Sequence, residues 1–486
     1  MEGLKVVTAR EMARIEKASI EAGASDGHYM ECAGKAIAGA VDAFINEHQL
    51  ERKVTLLVGK GNNGGDAFVA GRYLLKRQYE VAAITLFEKA DVSSLSSEHW
   101  EAFLKAGGTP TGHVPDQGVL LDGLLGTGFT GAVKEPIASL IEKANRSKLP
   151  ILAIDIPSGL NGNDGTVSGP VIQADLTLYL GLPKAGFFLG SGMDYIGKLL
   201  RCDFGLEAKW VKEAKGIGCL VNESVLPALL PPIKPSRHKY EAGYILAVAG
   251  SPGMMGAAHM ACMAAYRTGA GIIRLFQEES AGPEEIVHSK WDEELFVTEQ
   301  KRAKALIIGP GMGRAKNVQE QMVFLLKHLE RPAVIDADGL FFLAHEKAFV
   351  FKTPVILTPH RREMMGLLGH SYSDPLALID ACQQYAETKQ ATVVLKGAPT
   401  FVFHPGKPAL IMPRGGPGLA KAGTGDVLTG IIAAYLAQGL APREAAILGS
   451  WMHALAGEQV VSSKTDYGLI ATDLIEVIPE VLAGLI

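Results

Sequence analysis

Short apolar segments, each followed by a glycine-rich or polar loop and then by a helical stretch, recur along both halves of the chain. In the first half, Val54 to Val58 is predicted to be a buried strand, Gly59 to Asp66 a loop, and Ala67 to Gln78 a helix. In the second half, strands are predicted at 244–249, 305–308, 333–335, 355–357 and 392–395. This alternation predicts α/β domains with largely parallel sheets, in which loops at the carboxyl ends of the strands line the ligand crevice.

The length and composition restrict the number of domains and the kinds of partner. A chain of 486 residues is too long for one ordinary hydrophobic core, so we expect at least two domains, with a boundary near residue 215. The net charge of −5 gives no reason to expect a nucleic-acid partner. The five cysteines are scattered without a Cys-x-x-Cys pair, which favours reduced thiols in a cytoplasmic protein over a zinc site or a disulfide framework.

The sequence also gives no reason to expect a membrane partner. The start, Met1 to Lys5, lacks the long apolar region of a signal peptide. The longest apolar region, Val427 to Ala441, contains Thr429 and Gln438 and is too short to span a bilayer. We expect a buried helix there.

Side chains with oxygen atoms collect at three predicted strand ends in the first half. They follow the strands at 54–58, 119–121 and 150–154, and they are Asn62, Asn63, Asp66, Asp122, Asp155 and Ser158. Because the carboxyl ends of parallel strands share one edge of a sheet, we expect these side chains to come together. Several oxygen ligands without His or Cys suit a hard cation. Taken singly, each aspartate also fits a loop cap or a turn.

The same loops resemble those of the NAD(P)H-hydrate epimerase family. The matching segments are Asn-Asn-Gly-Gly-Asp at 62–66, Asp-Gly-Leu-Leu-Gly-Thr-Gly at 122–128, Asp-Ile-Pro-Ser-Gly-Leu at 155–160, and the stretches 29–34 and 174–186. The resemblance spans residues 9–212, and it implies a Rossmann-like three-layer αβα domain that interconverts the R and S hydrates of NADH and NADPH. The chain departs from the family pattern at Ala67, where Gly is commoner.

This resemblance also implies roles for single residues. Asp155 matches a substrate-binding and catalytic position, and Asn63, Asp122 and Ser158 match the positions that hold a potassium ion. The hydrate itself is bound in the family at positions that match Asn62, Asn63, Gly64, Gly65, Asp66, Gly126, Thr127, Gly128, Phe129, Thr130, Gly131 and Ala132.

The stretch Pro417 to Gly430 carries the clearest chemical signal of the second half. Gly423 and Gly425 let the backbone turn tightly and face its amides one way, at the start of an apolar helix predicted over 427–437. Asp426 stands among these donors, where a carboxylate suits the removal of a proton from a hydroxyl that attacks phosphate. An isolated aspartate there also fits a helix cap. The whole stretch, however, resembles the anion-hole signature of ribokinase-like enzymes.

Residues 219–486 resemble the NAD(P)H-hydrate dehydratase family, which implies a ribokinase-like α/β domain. In that family the hydrate contacts positions that match Ala257, Gly313, His360 and Asp426. The nucleotide is bound at positions that match Lys396, Gly397, Ala398, Pro399, Thr400 and Gly425. The chain departs from the family at Arg361-Arg362-Glu363, where Pro-Gly-Glu is usual, and at Ala422, where Gly is common.

Together the two resemblances predict a fused repair enzyme for the hydrates NADHX and NADPHX. The first domain would epimerise them with potassium bound, and the second would dehydrate the S form with Mg²⁺ and ADP, giving AMP and phosphate. ATP stays open as the phosphoryl donor, and the family implies a homo-oligomer. Two alternatives are a ribokinase-like small-molecule kinase and a catalytically silent first domain that only binds. The Asn-Asn-Gly-Gly-Asp loop argues against the first, and Asp155 with the cation residues argues against the second.

Overall fold

The computed structural model of the protein describes residues 1–277 and 282–486. The chain forms two compact units. The first unit is Leu4–Gly218, and the second is Cys219–Ile486 together with Met1–Gly3. In the described parts of the chain, every helix is too short or too polar to span a lipid bilayer.

The first 213 residues form a series of strands and helices. In chain order the strands are β1 (Glu2–Val7), β2 (Lys53–Val58), β3 (Glu80–Thr85), β4 (Thr109–Pro110), β5 (Val119–Gly123), β6 (Ile151–Ile154), β7 (Leu176–Leu180) and β8 (Lys198–Cys202). The helices are α1 (Ala9–Glu21), α2 (Asp26–Glu47), α3 (Asn62–Lys76), α4 (Ser94–Lys105), α5 (Ile137–Arg146) and α6 (Ala208–Glu213). The sheet of the first unit runs in the order β4-β3-β2-β5-β6-β7-β8, and all of its neighbouring strands are parallel.

Successive residues of β2 point to opposite faces of this sheet and join two separate apolar clusters. Leu56 packs with residues of α2 and α3 on one face, and Leu57 packs with residues of α5 on the other. Both side chains are fully buried. Because parallel strands are covered on both faces, they read as continuous apolar runs. The predicted three-layer αβα arrangement of the first unit is thereby confirmed.

The glycine-rich loop predicted at 59–66 is shorter in the structure, because α3 begins at Asn62 and not at Ala67. Two glycines allow this early start. A Cβ on Gly64 would lie 2.2 Å from the carbonyl oxygen of Gly59, and one on Gly65 would lie 2.6 Å from Sδ of Met30. The glycines therefore let the first turn of α3 pack against the end of β2 and against α2, a contact that helix propensity does not reveal.

The helical stretch predicted from 9 to 45 is divided into α1 and α2. The break lies at Ala22–Ser25, where Gly23 adopts a φ of 106° that other residues rarely accept. Thr8 and Ser25 then cap the two helix starts with their hydroxyl groups. The break lets the two helices run in different directions.

The remaining elements continue the same numbering. The strands are β9 (Gly216–Val221), β10 (Tyr244–Val248), β11 (Ile272–Phe276), β12 (Val287–Ser289), β13 (Ala305–Ile308), β14 (Ala333–Ile335), β15 (Val355–Leu357), β16 (Thr392–Leu395), β17 (Thr400–His404) and β18 (Lys407–Met412). The helices are α7 (Met255–Arg267), α8 (Glu293–Gln300), α9 (Lys316–Lys327), α10 (Asp338–Leu343), α11 (Arg361–Leu368), α12 (Pro375–Lys389), α13 (Thr424–Ala437), α14 (Pro442–Gly468) and α15 (Ala471–Ala483).

The sheet of the second unit runs in the order β1-β9-β18-β17-β16-β15-β14-β13-β10-β11-β12 among the described residues. It is parallel from β12 to β16, and β17 is antiparallel to both β16 and β18. The predicted strands at 305–308, 333–335, 355–357 and 392–395 are confirmed residue for residue. Helix α13 is buried on all sides from Val427 to Ala437, which its uniformly apolar sequence predicts.

Candidate active sites

The predicted cation ligands of the first unit meet around one carbonyl group, that of Leu125. The amide nitrogen of Asn63 donates to the carbonyl oxygens of Leu125, at 3.1 Å, and of Ile154, at 2.9 Å. The hydroxyl of Ser158 lies 3.3 Å from the same Leu125 oxygen and donates to Oδ1 of Asp122 at 2.6 Å. The structure therefore brings Asn63, Asp122 and Ser158 together at one edge of the sheet.

The carboxylate of Asp122 is fully buried and accepts hydrogen bonds from a hydroxyl and from backbone N–H groups. The sequence suggests that Asp122 follows a strand, but it is the fourth residue of β5. The backbone N–H groups of Ser158 and Leu124 donate to it at 2.8 and 3.1 Å. Burial raises the pKa of Asp122 to about 6, although the hydrogen bonds from Ser158 oppose that rise. Within residues 1–277 and 282–486 no lysine, arginine or histidine forms an ion pair with it. A buried carboxylate of this kind is costly unless a cation accompanies it.

Asp155 follows β6 and is held by an ion pair with a buried lysine. It adopts a φ of 62°, a left-handed conformation that is uncommon outside glycine. Its backbone N–H donates to the carbonyl of Leu178 at 2.9 Å. Its side-chain oxygen Oδ1 accepts hydrogen bonds from Nζ of Lys184 and, at 2.9 Å, from the N–H of Leu180. Lys184 is fully buried. This arrangement is not that of a helix cap.

A small cavity of about 80 Å³ beside the start of α3 is lined by the carboxyl groups of Glu16, Asp26 and Asp66. Asp66 is 6% exposed and has no hydrogen-bond partner for its side chain in the described structure. Burial, together with the negative charges of Asp155, Glu16 and Asp26, raises the pKa of Asp66 well above its usual range. Burial and Asp155 also raise the pKa of Glu16 to about 7, against the effect of Lys184. Burial and these negative charges therefore favour the protonated form of Asp66.

The other predicted hydrate-binding residues of the first unit divide into two groups. Asn62 lines the same cavity, and Gly126 lies so close to Asn63 that a Cβ would stand 3.2 Å from the Cγ atom of that side chain. The buried Gly64 and Gly65 pack the start of α3. The second group runs away from this edge into a loop that is partly exposed at Thr127 and Phe129 and exposed at Gly128, Thr130, Gly131 and Ala132.

The glycine-rich stretch of the second unit forms the first turn of α13. The predicted start at Val427 is wrong by almost one turn, because α13 begins at Thr424, directly after Gly423 with a φ of 90°. Asp426 is therefore the third residue of the helix, and no side chain caps this end. The helix-cap interpretation of Asp426 is wrong. The N–H groups of Gly425 and Asp426 belong to the first turn, where helical N–H groups have no acceptor within the helix.

Thr424 fixes the orientation of that turn. Its hydroxyl lies 2.8 Å from the carbonyl oxygen of Leu419 and 2.9 Å from that of Lys421. Its own carbonyl accepts a hydrogen bond from Nε2 of His453 at 2.9 Å. Burial lowers the pKa of His453 to about 4, so the imidazole is neutral at pH 7 with its proton on Nε2. The amides of the first turn are thus held in one direction before a ligand arrives.

Lys396 follows β16 and faces the same turn. Its Nζ donates to Oδ1 of Asp336 at 2.8 Å, and the hydroxyl of Thr429 donates to Oδ2 of Asp336 at 2.8 Å. A Cβ on Gly425 would lie 3.3 Å from this Nζ. Burial lowers the pKa of Lys396, but the carboxylates of Asp336 and Glu363 outweigh it, so its pKa is raised overall. A charged ammonium group beside free helix amides suits a phosphate.

The carboxyl group of Asp426 lies among other acidic groups in a partly buried position. Burial and the negative charge of Asp336 raise its pKa to about 7, although Lys396 opposes the rise. Asp338 and Glu363 add smaller effects in the same direction as burial. A carboxyl group with a pKa near neutral is suited to accept and return a proton.

His360 joins this site through the backbone. Its Nδ1 accepts from the N–H of Glu363 at 3.1 Å, and Oε2 of Glu363 accepts from the N–H of His360 at 2.8 Å, so the pair caps α11. The N–H of Lys396 donates to the carbonyl of Pro359 at 2.8 Å, which places the loops after β15 and β16 side by side. Arg361 and Arg362 are the first residues of α11 and lie in this same loop region.

The remaining predicted nucleotide residues form the turn between β16 and β17. Gly397 and Ala398 are exposed, and Pro399 is buried. The hydroxyl of Thr400 lies 3.3 Å from the carbonyl oxygen of Gly397. The turn is therefore continuous with Lys396.

Gly313 lines a larger cavity of about 510 Å³. A Cβ on Gly311 would lie 3.2 Å from that of Ala257, so the loop after β13 packs on the start of α7. The N–H of Gly313 donates to Oδ2 of Asp338 at 2.9 Å, and the charge of Asp338 also acts on the pKa of Asp426. Gly313 and Asp426 therefore both lie near the carboxyl group of Asp338.

Several residues of the two sites were not predicted from the sequence. Lys184 is an isolated charge inside the apolar stretch 176–189, and Glu16 adjoins the buried positions Met12 and Ile15 of α1. Asp336 comes directly after a strand, which is a general signal for a site residue. For Lys184 and Glu16, the signal in the sequence was a charged side chain at a position that its apolar neighbours predict to be buried.

Two family models match the chain. One is described as NAD(P)H-hydrate dehydratase and matches residues 245–480. The other is described as YjeF-related protein N-terminus and matches residues 27–186. The matched ranges contain all the predicted site residues of the second and first units, respectively.

Curated relatives match over nearly the whole length of the chain. A bifunctional NAD(P)H-hydrate repair enzyme Nnr of Moorella thermoacetica is 33% identical, with 99% of this chain and 97% of the relative covered. A protein of the same name from Gloeobacter violaceus is 34% identical, with 96% of each chain covered. Among solved structures, a ribokinase-like superfamily protein of Enterococcus faecalis V583 is 24% identical, with 55% of this chain and 95% of that chain covered at a TM-score of 0.50. The last match supports a ribokinase-like fold.

Proposed function

The chain belongs to the family of bifunctional NAD(P)H-hydrate repair enzymes, and we propose that its first unit carries the epimerisation site and its second unit the dehydration site. The protein repairs hydrated nicotinamide cofactors: it epimerises the R and S forms of NADHX and NADPHX, and it dehydrates the S form to NADH or NADPH. In the proposed division, Asp155 and Asp426 are the two catalytic residues. Asp155 follows β6 in the first unit, and Asp426 lies in the first turn of α13 in the second.

For epimerisation, Asp155 is proposed to accept and return the proton of the hydroxyl group on C6. Loss of this proton lets the oxygen form a carbonyl at C6 while the bond from C6 to the ring nitrogen breaks and its electron pair goes to nitrogen. The nitrogen then attacks the other face of C6, and the proton returns to the oxygen. The hydrate would be bound by residues 62–66 and by the partly exposed loop 126–132. The single observation behind this site is the ion-paired Asp155 near the buried carboxyl group of Asp66.

A potassium ion is proposed at Asn63, Asp122 and Ser158. The donor set fits such an ion, because the buried carboxylate of Asp122 has no cationic partner in the described structure and the Ser158 hydroxyl and Leu125 carbonyl supply oxygen atoms close to it. The amide oxygen of Asn63 also has no hydrogen-bond donor among residues 1–277 and 282–486. The ion would neutralise Asp122 and fix the loops after β5 and β6.

Replacing Asp122 by Ala is expected to weaken hydrate binding in the first unit and to leave dehydration of the S form unchanged. The substitution removes the charged ligand from the proposed cation site, and α13 with its surroundings belongs to the other unit. The measurement is the KM of epimerisation in potassium and in a potassium-free buffer. Asp116→Ala, at an exposed position in the same unit, is the matched control. Wild-type epimerisation that does not respond to potassium would contradict the proposed ion.

For dehydration, Asp426 is proposed to take the proton of the C6 hydroxyl group of the hydrate. At the same time the oxygen of this hydroxyl group attacks the terminal phosphorus of the nucleotide. The bond from this phosphorus to the bridging oxygen breaks, and AMP leaves if ADP is the donor. The C6–O bond then breaks with loss of phosphate, and loss of a proton from C5 restores the ring double bond. The first-turn amides of α13 and the ammonium group of Lys396 would stabilise the charge on the moving phosphoryl group.

ADP with Mg²⁺ is proposed as the phosphoryl donor pair, bound by residues 396–400 and Gly425. The fit rests on Lys396, whose ammonium group is held by Asp336 toward the start of α13. Mg²⁺ would arrive with the nucleotide, because in such sites it is bound largely by phosphate oxygens and water. The proposed hydrate contacts are Ala257, Gly313, His360 and Asp426. Homo-oligomeric assembly and a cytoplasmic location are also proposed.

The decisive experiment supplies a mixture of R and S NADH hydrates with ADP or with ATP and follows the return of NADH absorbance. Complete recovery of NADH with one of the two nucleotides supports both activities and identifies the donor. Recovery of the S fraction alone would contradict the epimerase assignment, and no recovery with either nucleotide would contradict the dehydratase assignment.

The rate of dehydration is expected to fall as the pH is lowered through about 7. The pKa of Asp426 is raised to about 7, chiefly by burial, so below that pH the carboxyl group is protonated and cannot act as a base. The measurement is kcat/KM for the S hydrate between pH 5.5 and 8.5. Asp380→Asn removes a negative charge at an exposed position of the same unit and should leave the fall in rate at low pH unchanged. A flat profile over this range would contradict Asp426 as the base.

A further inference from the structure

Lys184 is a fully buried lysine in the first unit, and its ammonium group contacts the loop that carries the proposed epimerisation base. It donates to Oδ1 of Asp155 and, at 2.7 Å, to the carbonyl of Leu180. A lysine is rarely buried completely unless a partner carries the opposite charge. The burial of Lys184 therefore depends on Asp155, and the position of the Asp155 side chain depends on Lys184.

The two oxygens of Asp155 have different surroundings. Oδ1 accepts from Lys184 and from the N–H of Leu180, while Oδ2 has no hydrogen-bond donor among residues 1–277 and 282–486. The backbone of Asp155 is fixed by its hydrogen bond to Leu178 and by the left-handed φ of 62°. With one oxygen and the backbone fixed, the direction of the other oxygen is fixed as well. Oδ2 is the atom left to contact a substrate.

The other titratable groups near Asp155 in the described structure are carboxyl groups and a thiol. Glu16 on α1 and Asp66 on α3 are acidic, and the thiol of Cys202 on β8 is also within electrostatic reach. Asp26 on α2 adds a further carboxyl group to the cavity beside them. Lys184 forms the only ion pair of Asp155 in the described parts of the chain. Without Lys184 this group of acids would contain no opposing positive charge in ion-pair contact with Asp155.

We propose that Lys184 is a positioning residue for epimerisation, which fixes Oδ1 of Asp155 so that Oδ2 is directed to accept the proton of the hydrate. The proposal rests on the proposed role of Asp155 as the base of the first unit. In the step, a proton passes from the C6 hydroxyl to Oδ2, and the bond from C6 to the ring nitrogen breaks with its electron pair on nitrogen. The proton returns to the oxygen when the nitrogen forms this bond again on the other face of C6. Lys184 itself exchanges no proton with the substrate.

The test measures kcat and KM of epimerisation for Lys184→Met, with mixed NADH hydrates as substrate. The expected loss in kcat is about 10²-fold, since a misdirected catalytic group costs about that much. The KM for the hydrate is expected to stay near the wild-type value, because Lys184 is not among the proposed hydrate-binding residues.

Two further variants separate positioning from a structural role. Lys184→Arg keeps a donor for Oδ1 of Asp155 and is expected to recover part of the lost kcat. Lys143→Met, at an exposed position of α5, removes the same charge and should leave kcat and KM unchanged. A merely structural role for Lys184 predicts that activity falls only in proportion to the unfolded fraction, with the kcat of the folded enzyme unchanged, and that result would overturn the proposal.

A double variant keeps the test decisive if Lys184→Met folds poorly. Asp155→Asn/Lys184→Met removes both charges of the pair, so its melting temperature should lie above that of Lys184→Met. Its epimerisation should be no slower than that of Asp155→Asn alone, because Lys184 acts only through Asp155. An additional loss would overturn the proposal. Absence of epimerisation in the wild type would instead contradict the proposed function of the first unit.

Discussion

An Asp426→Asn enzyme should recover almost no NADH from the S hydrate while it still interconverts the R and S forms. Asparagine has nearly the shape of aspartate but cannot accept the proton of the attacking hydroxyl, and losing a general base costs about 10²–10⁴-fold in rate. Epimerisation should survive because Asp426 lies in the second unit, and the proposed epimerisation residues lie in the first. Stopped reactions separated by chromatography give both rates from one sample.

The controls must distinguish a slower chemical step from weaker nucleotide binding. Asp380→Asn, on the exposed face of α12, makes the same substitution away from the site and should behave as the wild type. Lys396→Met removes the ammonium group that faces Gly425, so it should raise the KM for the nucleotide as well as lower the rate. If Asp426→Asn mainly raised the KM for the nucleotide and kept kcat, Asp426 would be a binding group and not the base.

The sequence predicted the strands of the second unit well because they are short, continuous apolar runs between glycine-rich loops. It predicted the starts of α3 and α13 less well, and both begin earlier than expected at glycine-rich segments. Glycine lowers helix propensity. In the structure, the space around Gly64 and Gly423 requires it, since a Cβ there would lie 2.2 Å from the Gly59 oxygen and 2.7 Å from Cε of Met260. Such contacts between distant segments are not visible in local sequence.

The site residues that were predicted are those with a local sequence signal, and the others depend on contacts between distant segments. Asn63, Asp122 and Ser158 follow or end strands, so the rule that ligands lie at the carboxyl ends of parallel strands was sufficient to group them. Lys184 and Glu16 lie in a loop and on a helix. Their proximity to Asp155 follows from the packing of α1 and of the loop after β7 on the sheet edge, which depends on the folded chain.

Asp155→Ala should turn a reaction that completes in one phase into a reaction with two phases. With mixed hydrates and nucleotide, the S form is dehydrated at the wild-type rate by the second unit. The R form is then limited by spontaneous epimerisation, because the carboxylate that would accept and return the proton of the C6 hydroxyl is gone. The enzymatic epimerisation rate is expected to fall by about 10²–10⁴-fold, as for other general bases. Absorbance of NADH over time records both phases.

The amplitude of the fast phase is the decisive quantity, because it should equal the fraction of S hydrate in the starting mixture. Alanine also leaves Lys184 buried without its partner, so the variant should melt at a lower temperature than the wild type, since an unpaired buried charge is strongly destabilising. Asp155→Asn keeps the volume of the side chain and should give the same two phases, while Asp116→Ala should give one. A single phase in both Asp155 variants would show that Asp155 only supports the fold and would remove it from the epimerisation mechanism.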